Sequence, residues 1–186
     1  MAKLIYGTNV SLDGFIEDEH GGFEWTEPSD DGFAFITDLM RPVGTYLYGR
    51  RLYETMAVWE TDPALAAQSE IRADFANVWQ AADKIVYSAT LDAVSTAKSR
   101  LERRFDPESI RGMKAEAASD LMVGGANLAA HALRAGLVDE CHLFIAPVIV
   151  GRGKPSLPSE LCTTLELLDE RRFDNGVVYV RQRLLI

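Results

Sequence analysis

The chain has 186 residues, of which 47% are hydrophobic and 25% are charged, a composition typical of one globular domain without disordered segments. Its formal net charge of −9 argues against a nucleic-acid partner, because such binding requires Lys and Arg to neutralise many phosphates. The sequence contains no signal-peptide pattern and no apolar run near the ~20 residues that span a bilayer, so we expect a cytoplasmic protein without a membrane partner. Cys141 and Cys162 lack the close spacing of metal ligands, which predicts no metal site.

The chain opens with a predicted strand followed by a long loop. Residues 3–11 form a near-continuous apolar and β-branched run, which predicts a strand buried on both faces of a sheet. Residues 11–30 are rich in Gly and acidic side chains, yet they also contain aromatic residues. A loop of this length in a compact domain is often a lid that covers a functional site. A surface hairpin is the alternative.

Helices and strands alternate along the rest of the chain. Apolar spacing, caps and prolines predict helices at 29–40, 52–56, 63–82, 107–118 and 128–135. Apolar runs predict strands at 43–48, 84–88, 121–123 and 141–150, with a further short strand within 90–105 and a bulge or edge at Pro147. Asn175-Gly176 predicts a hairpin between strands at 164–170 and 177–185. This order predicts an α/β fold with a mostly parallel sheet and an antiparallel C-terminal hairpin.

Glycine marks two of the predicted strand-to-helix turns. They lie in DLMVGGANLAAHALRAG, residues 120–136, and in YLYGRRLY, residues 46–53. Glycine lets backbone N–H groups approach a bound group, and a helix N-terminus favours phosphate. Two such turns suggest a dinucleotide held at both ends, and Arg50 and Arg51 beside Gly49 favour phosphate contacts. Simple chain reversal and solvated arginines are the alternatives.

Two aspartates are candidates for chemistry. Asp13 lies in the long loop, and Asp30 lies at the start of the helix that follows it. Such carboxylates cap helices or form turns, but in an apolar pocket they could hold the N–H groups of a heterocycle and help to protonate it. Trp25 and Phe33 would provide either a stacking surface or core packing. No serine-hydrolase, zinc-protease or P-loop motif supports another reaction.

The motifs resemble those of the dihydrofolate reductase superfamily, and in particular the branch related to the reductase domain of the bifunctional riboflavin-biosynthesis deaminase/reductase. The segments SLDGFI, YGRRLYE, KIVYSAT, LMVGGANLAAHALRAGLVDE and LFIAPVIVGRGKP occur in that family's order and cover nearly the whole chain. The resemblance implies a three-layer dihydrofolate reductase-like fold in a single domain, residues 1–186. It also implies NADPH-dependent hydride transfer to a pterin-like or aminopyrimidine substrate.

The resemblance further implies roles for individual residues. Asp30, in WTEPSD, takes the position of the catalytic carboxylate, and Asp13, in SLDG, that of an aspartate near the substrate. Trp25, Phe33 and Asn9 fall on the substrate side. The implied NADPH ligands are Gly49, Arg50, Arg51, Ser88, Gly124, Gly125, Ala126, Asn127 and Leu128.

The chain departs from both named enzymes. Leu52 stands where folate reductases usually have threonine, and Phe15 stands where riboflavin-type reductases often have lysine. The acceptor therefore stays open among related heterocycles. A non-catalytic NADPH-binding module and a flavin-binding reductase on the same fold are the alternatives. Related small reductases also suggest a homodimer, with an interface near residues 143–150, and a monomer is the alternative.

Overall fold

Strands and helices alternate through most of the chain in a computed structural model, which describes residues 1–185. The strands in this part of the chain are β1 (Leu4–Ser11), β2 (Phe15–Asp18), β3 (Val43–Gly49), β4 (Asp83–Tyr87), β5 (Ser99–Glu102), β6 (Asp120–Gly124), β7 (Glu140–Ala146), β8 (Gly153–Pro155), β9 (Thr164–Arg172) and β10 (Val178–Leu185). The helices are α1 (Asp30–Met40), α2 (Arg50–Met56), α3 (Val58–Thr61), α4 (Pro63–Ala66), α5 (Glu70–Ala81), α6 (Pro107–Glu116) and α7 (Ala126–Arg134). Within residues 1–185, none of them is long and apolar enough to cross a membrane.

Eight of the strands form one sheet in the order β5-β4-β3-β6-β1-β7-β10-β9. The strands from β5 to β7 are parallel, whereas β10 and β9 form an antiparallel hairpin at one edge. β2 and β8 pair separately as an antiparallel two-stranded unit, which we call the ribbon. The predicted α/β fold, with a mostly parallel sheet and an antiparallel C-terminal hairpin, is confirmed.

The sheet is the middle one of three layers. Successive side chains of a strand point to opposite faces, so each strand supplies two cores. Leu4 and Tyr6 of β1 pack in one core cluster with Leu133 of α7. Tyr46 of β3 packs on the other face with Trp79 of α5. The first face carries α6 and α7, and the second carries α1 and α5.

Two predicted elements are wrong in extent. The helix expected at 63–82 is divided into α4 and α5, because the Ser69 hydroxyl accepts a hydrogen bond from the Arg72 N–H at 3.2 Å and caps a new helix start. The strand expected at 141–150 ends at Ala146. Pro147 follows directly, and it has no N–H to extend the ladder of hydrogen bonds.

Two further segments contain more regular structure than expected. Residues 11–30 form β2 and a 3₁₀ turn at Glu24–Thr26. Arg50 and Arg51, which we expected in the turn after β3, form the first turn of α2. Their side chains are therefore presented from a helix that begins where β3 ends.

Candidate functional site

The two glycine turns lie side by side at one edge of the sheet. β4, β3 and β6 are adjacent parallel strands, so their carboxyl ends meet. Gly49 at the end of β3 lies opposite Tyr87 of β4, and Tyr48 lies opposite Gly124 of β6. A β-carbon on Gly125 would lie 3.8 Å from the amide nitrogen of Gly49. The two turns thus form one continuous backbone surface.

The β6–α7 turn requires glycine twice, for different reasons. A β-carbon on Gly124 would overlap Cδ2 of Leu52 and lie 3.2 Å from the Tyr48 ring, so this glycine allows α2 to pack closely on β6. Gly125 has φ of 89°, a left-handed conformation that side chains other than glycine rarely adopt. Gly125 is also the N-cap of α7, and no side chain in the described part of the chain caps that helix. The free N–H groups of its first turn can therefore bind an anion.

A pocket of about 360 Å³ opens over these turns. Its charged residues are Arg50, Arg51, Arg103 and Lys154, and none of the described residues that line it is acidic. The chain as a whole carries a net charge of −9, so this concentration of cations is a local feature. The pocket is therefore suited to an anionic ligand.

Hydrogen bonds hold two of the arginines in place. The Nε of Arg50 donates to Glu54 at 2.8 Å, and its Nη1 donates to the Thr90 hydroxyl at 3.1 Å. The Nη1 of Arg103 donates to the backbone carbonyls of Leu91 at 2.6 Å and Ser88 at 3.2 Å. Arg103 thereby fixes the loop after β4 against the end of β5.

Aromatic rings form a second wall of the pocket. The ring centroids of Tyr87 and Phe105 are 5.7 Å apart, and those of Phe105 and His131 are 5.9 Å apart. Burial raises the pKa of Tyr87 to about 12, so this phenol is neutral at physiological pH. An aromatic wall beside a cationic one suits a planar base that carries phosphate groups.

Most of the predicted NADPH ligands lie together in this pocket. Those that line it are Gly49, Arg50, Arg51, Ser88, Gly125, Asn127 and Leu128. Gly124 and Ala126 are buried behind them. Their roles in binding stay predictions. Sequence reasoning missed Arg103, Phe105, His131 and Lys154. Arg103 and Phe105 come from a segment without a recognisable motif, whereas His131 and Lys154 lie within motif segments whose local pattern does not indicate a role in the pocket.

The carboxylate of Asp13, which we expected near the substrate, is held by three hydrogen bonds, two of them from backbone N–H groups. It accepts hydrogen bonds from the Ser11 hydroxyl at 2.7 Å, from the Gly151 N–H at 2.7 Å and from the Val150 N–H at 3.2 Å. The bond from Ser11, followed by those from the two backbone N–H groups, lowers the pKa of Asp13. This geometry favours a role in holding the loop after β7, and it disfavours proton donation because the group stays ionised.

Phe33, expected to contact the substrate, is packed in an aromatic cluster. Its ring centroid lies 5.0 Å from that of Phe75 and 5.7 Å from that of Trp59, and the Arg72 guanidinium lies 5.7 Å above its ring. These contacts account for Phe33 as part of the core between α1, α3 and α5.

The remaining predicted site residues are Asn9 on β1, Trp25 in the 3₁₀ turn and Asp30 at the start of α1. Asn9 is half-buried. It points to the same face of the sheet as Gly7, where a β-carbon would lie 3.3 Å from Cε of Met122. Met122 packs against the core of α1 and α5. Asp30 is exposed in the first turn of α1. The indole Nε1 of Trp25 is buried and has no hydrogen-bond partner among residues 1–185. Their roles stay predictions, and none of the three lines the cationic pocket.

A family model for the RibD C-terminal domain matches residues 2–179. Protein YyaP of Bacillus subtilis (strain 168) is 28% identical over 181 residues, which cover 96% of this chain and 93% of YyaP. Protein YwjB of the same organism is 28% identical over 190 residues, which cover 96% of this chain and 98% of YwjB.

Solved structures share the fold. A protein from Shewanella sp. PV-4 assigned to riboflavin biosynthesis superposes with a TM-score of 0.77 at 20% identity, over 100% of both chains. The diaminohydroxyphosphoribosylaminopyrimidine deaminase/5-amino-6-(5-phosphoribosylamino)uracil reductase of Thermotoga maritima superposes with a TM-score of 0.65 at 16% identity, over 98% of this chain and 56% of that chain. The family match covers almost all of the residues from which the glycine turns and the pocket are built, and the chain therefore belongs to the RibD C-terminal domain family.

Proposed function

We propose that this protein is an NADPH-dependent reductase that transfers hydride to a planar heterocycle of the pterin or aminopyrimidine class. The observation that carries the proposal is the cationic pocket over the two glycine turns, in a chain of the RibD C-terminal domain family. The related Thermotoga maritima protein is named as a 5-amino-6-(5-phosphoribosylamino)uracil reductase, which supports an acceptor of this class.

The residues of the pocket fit a phosphorylated dinucleotide. Gly125 and the first turn of α7 offer backbone N–H groups to a pyrophosphate. Arg50 and Arg103 add guanidinium groups, each of which can form two parallel hydrogen bonds to a phosphate. Tyr87 and Phe105 provide an apolar wall for adenine. A 2′-phosphate adds charge that this set of cations can neutralise, so we expect NADPH to bind more tightly than NADH.

The acceptor would lie beside the residues expected on the substrate side, which include Asn9, Trp25 and Asp30. The reduced nicotinamide would supply the hydride there. Trp25 would orient the heterocycle, because its buried indole N–H has no partner among residues 1–185 and is a donor for a ring oxygen or nitrogen. Asp30, in the first turn of α1, would hold ring N–H groups and pass a proton to the reduced ring.

The first experiment is a titration of the purified protein with NADPH and with NADH, followed by thermal unfolding. NADPH at about 100 times its Kd should stabilise the fold by roughly 2.7 kcal/mol. Loss of charge-assisted contacts to a 2′-phosphate should make NADH about tenfold weaker or more. Turnover is then measured by loss of NADPH absorbance with pterins and aminopyrimidines as acceptors.

Arg50→Gln supplies the variant for this experiment, and Arg104→Gln is its matched control. Arg50 lines the pocket, whereas Arg104 follows Arg103 in the chain and does not line it. Only Arg50→Gln should weaken NADPH binding. If neither NADPH nor NADH binds, the proposal is overturned. Binding without turnover would favour the non-catalytic module. A bound yellow chromophore on purification would favour the flavin-binding alternative.

A further inference from the structure

The ribbon brings two opposite charges to the edge of the cationic pocket. Glu17 of β2 lies directly opposite Lys154 of β8 in the ribbon. The carboxylate of Glu17 forms a salt bridge with Nη1 of Arg51 at 3.3 Å, and Lys154 lines the pocket itself. The ribbon therefore contributes one candidate phosphate ligand and one group that competes with phosphate for Arg51.

The ribbon is built as a close-packed unit on a fixed base. A β-carbon on Gly153 would overlap the backbone carbonyl of Glu17, so the two strands approach more closely there than a side chain would allow. At the base, Asp13 accepts hydrogen bonds from the N–H groups of Val150 and Gly151, and the Ser11 hydroxyl accepts one from the N–H of Phe15. Glu17 and Lys154 are thus held at a defined position relative to the end of β1.

A second cavity of about 500 Å³ lies between the tip of the ribbon and α2. It shares Arg51 and Lys154 with the cationic pocket, so these two side chains border both cavities. The side chain of Arg51 is 77% exposed, whereas that of Glu17 is 22% exposed. Arg51 is therefore free to reorient between the cavities, and Glu17 is the more constrained partner.

We propose that the ribbon tunes nucleotide phosphate binding, with Lys154 as a phosphate ligand and Glu17 as an internal competitor that holds Arg51 when no phosphate is present. This inference rests on the proposed nucleotide site. A guanidinium binds carboxylate and phosphate through the same kind of N–H group, and Glu17 occupies Nη1 of Arg51, so a phosphate that takes this group must displace Glu17. The Glu17 carboxylate thus lowers nucleotide affinity, while Lys154 raises it.

The test compares the dissociation constant of NADPH for the full chain and its variants by titration calorimetry at low ionic strength. Glu17→Gln should lower the Kd of NADPH by about two- to fivefold, which corresponds to the free energy of an exposed ion pair. Lys154→Gln should weaken binding by a similar factor of about two to five. Both effects should shrink in ~1 M salt, where exposed charges are screened.

Matched controls separate the contacts from a general change in charge. Glu19→Gln removes the same kind of side chain from the same segment. Glu19 also lines the second cavity, but its carboxylate lies 3.9 Å from Nε2 of His20 and forms no pair with Arg51 among residues 1–185. Arg152→Gln removes a cation two residues before Lys154 that lines neither cavity. Equal effects of Glu17→Gln and Glu19→Gln would overturn the role of Glu17. Equal effects of Lys154→Gln and Arg152→Gln would overturn that of Lys154.

A double-mutant cycle tests the route through Arg51. In an Arg51→Gln background, Glu17→Gln should leave NADPH affinity unchanged within about a factor of two, because the competed group has been removed. A full gain of affinity in that background would overturn the competition. If the unaltered protein binds no nucleotide, the proposed function itself fails. Wild-type binding without differences among these variants would instead reject only the role of the ribbon.

Discussion

Gly124 is the position at which the strand-to-helix turn leaves least space. A β-carbon there would overlap the end of Leu52 and press on Tyr48, both of which belong to the β3–α2 unit. Gly124→Ala should therefore destabilise the fold by about 1–3 kcal/mol and weaken nucleotide binding, because it pushes the two glycine turns apart. Chemical unfolding and NADPH titration measure the two effects.

Gly112 provides the control for this substitution. It lies inside α6, and a β-carbon on it would meet nothing within 4 Å. Gly112→Ala should be neutral or stabilise the protein by up to ~1 kcal/mol, since alanine favours helix. Equal stability of the two variants would contradict the assignment of Gly124 to close packing.

Asp30 carries the proposed proton transfer, and its neighbour supplies the comparison. Asp30→Asn should lower kcat by about 10²-fold or more, the usual cost of losing a general acid, with little change in NADPH affinity. Asp31→Asn is matched, because Asp31 lies in the same exposed first turn of α1 and accepts a hydrogen bond from the Ser29 hydroxyl. Asp31→Asn should leave kcat unchanged. Full turnover in Asp30→Asn would remove Asp30 from the mechanism.

At the scale of elements, a buried ionic network joins the parallel half of the sheet to the C-terminal hairpin. Glu140 of β7 is 2% exposed, and it accepts hydrogen bonds from Lys3 at 2.7 Å, Arg181 at 2.7 Å and His142 at 3.2 Å. The other ring nitrogen of His142 lies 3.2 Å from the Tyr179 hydroxyl. Lys3 precedes β1, and Arg181 and Tyr179 belong to β10, so one carboxylate connects three adjacent strands.

This network predicts a loss of stability in acid. Burial opposes ionisation of Glu140, but the bonds from Arg181, Lys3 and His142 outweigh it and lower its pKa from 4.5 to about 2. Since the folded pKa lies below the unfolded one, the stabilisation is present above pH 4.5 and is lost as the pH falls to about 2. We expect the charge of Glu140 to contribute about 2 kcal/mol to the free energy of unfolding at neutral pH. This is less than the pKa difference implies, because Lys3 and Arg181 are partly exposed.

Glu140→Gln tests this assignment. The variant should unfold at lower urea concentration than wild type at pH 7, and the difference should disappear near pH 2. Glu166→Gln is the control, because Glu166 pairs with Arg183 at 2.8 Å on the same hairpin but is 48% exposed. It should change stability by about 0.5 kcal/mol or less. A pH-independent difference for Glu140→Gln would contradict the role of its charge.

At the scale of the whole molecule, the C-terminal hairpin leaves part of one sheet face uncovered. Leu165, Leu167 and Val178 are 41%, 54% and 38% exposed, and they share a face with Leu184, which packs into the α7 core. Contiguous exposed apolar side chains of this kind mark interaction surfaces. We propose this face for the expected homodimer. It adjoins Leu143 of β7, where the sequence indicated an interface.

Leu167→Glu tests the proposed pairing surface. A buried charge at a dimer interface is costly, so the variant should be monomeric by light scattering at a concentration where wild type is dimeric. Val58→Glu, at a 38% exposed position on α3, introduces the same charge elsewhere and should not change the mass. A monomeric wild type, or a dimeric Leu167→Glu variant, would reject this surface.

The sequence by itself determined the order of the elements and the two glycine turns. Alternating apolar patterns, caps and the Asn175-Gly176 turn are local signals, and they suffice to predict an α/β sheet with a terminal hairpin. Gly125 and Arg50 were likewise found because they lie within continuous motifs. The break at Ser69 was missed, since a single capping hydroxyl competes weakly with a long helical pattern.

Only the tertiary structure decided which distant segments form the pocket. Helices α2 to α6 and strands β4 and β5 separate β3 from β6 in the chain, yet β3 and β6 pair, so the two glycine turns become neighbours through the order of strands in the sheet. Arg103 reaches the pocket because β5 pairs with β4, and Lys154 does so because β8 folds back on β2. These contacts depend on long-range strand pairing, which leaves no local pattern in the sequence. The same pairing places Glu17 opposite Lys154, on which the proposed control of phosphate binding depends.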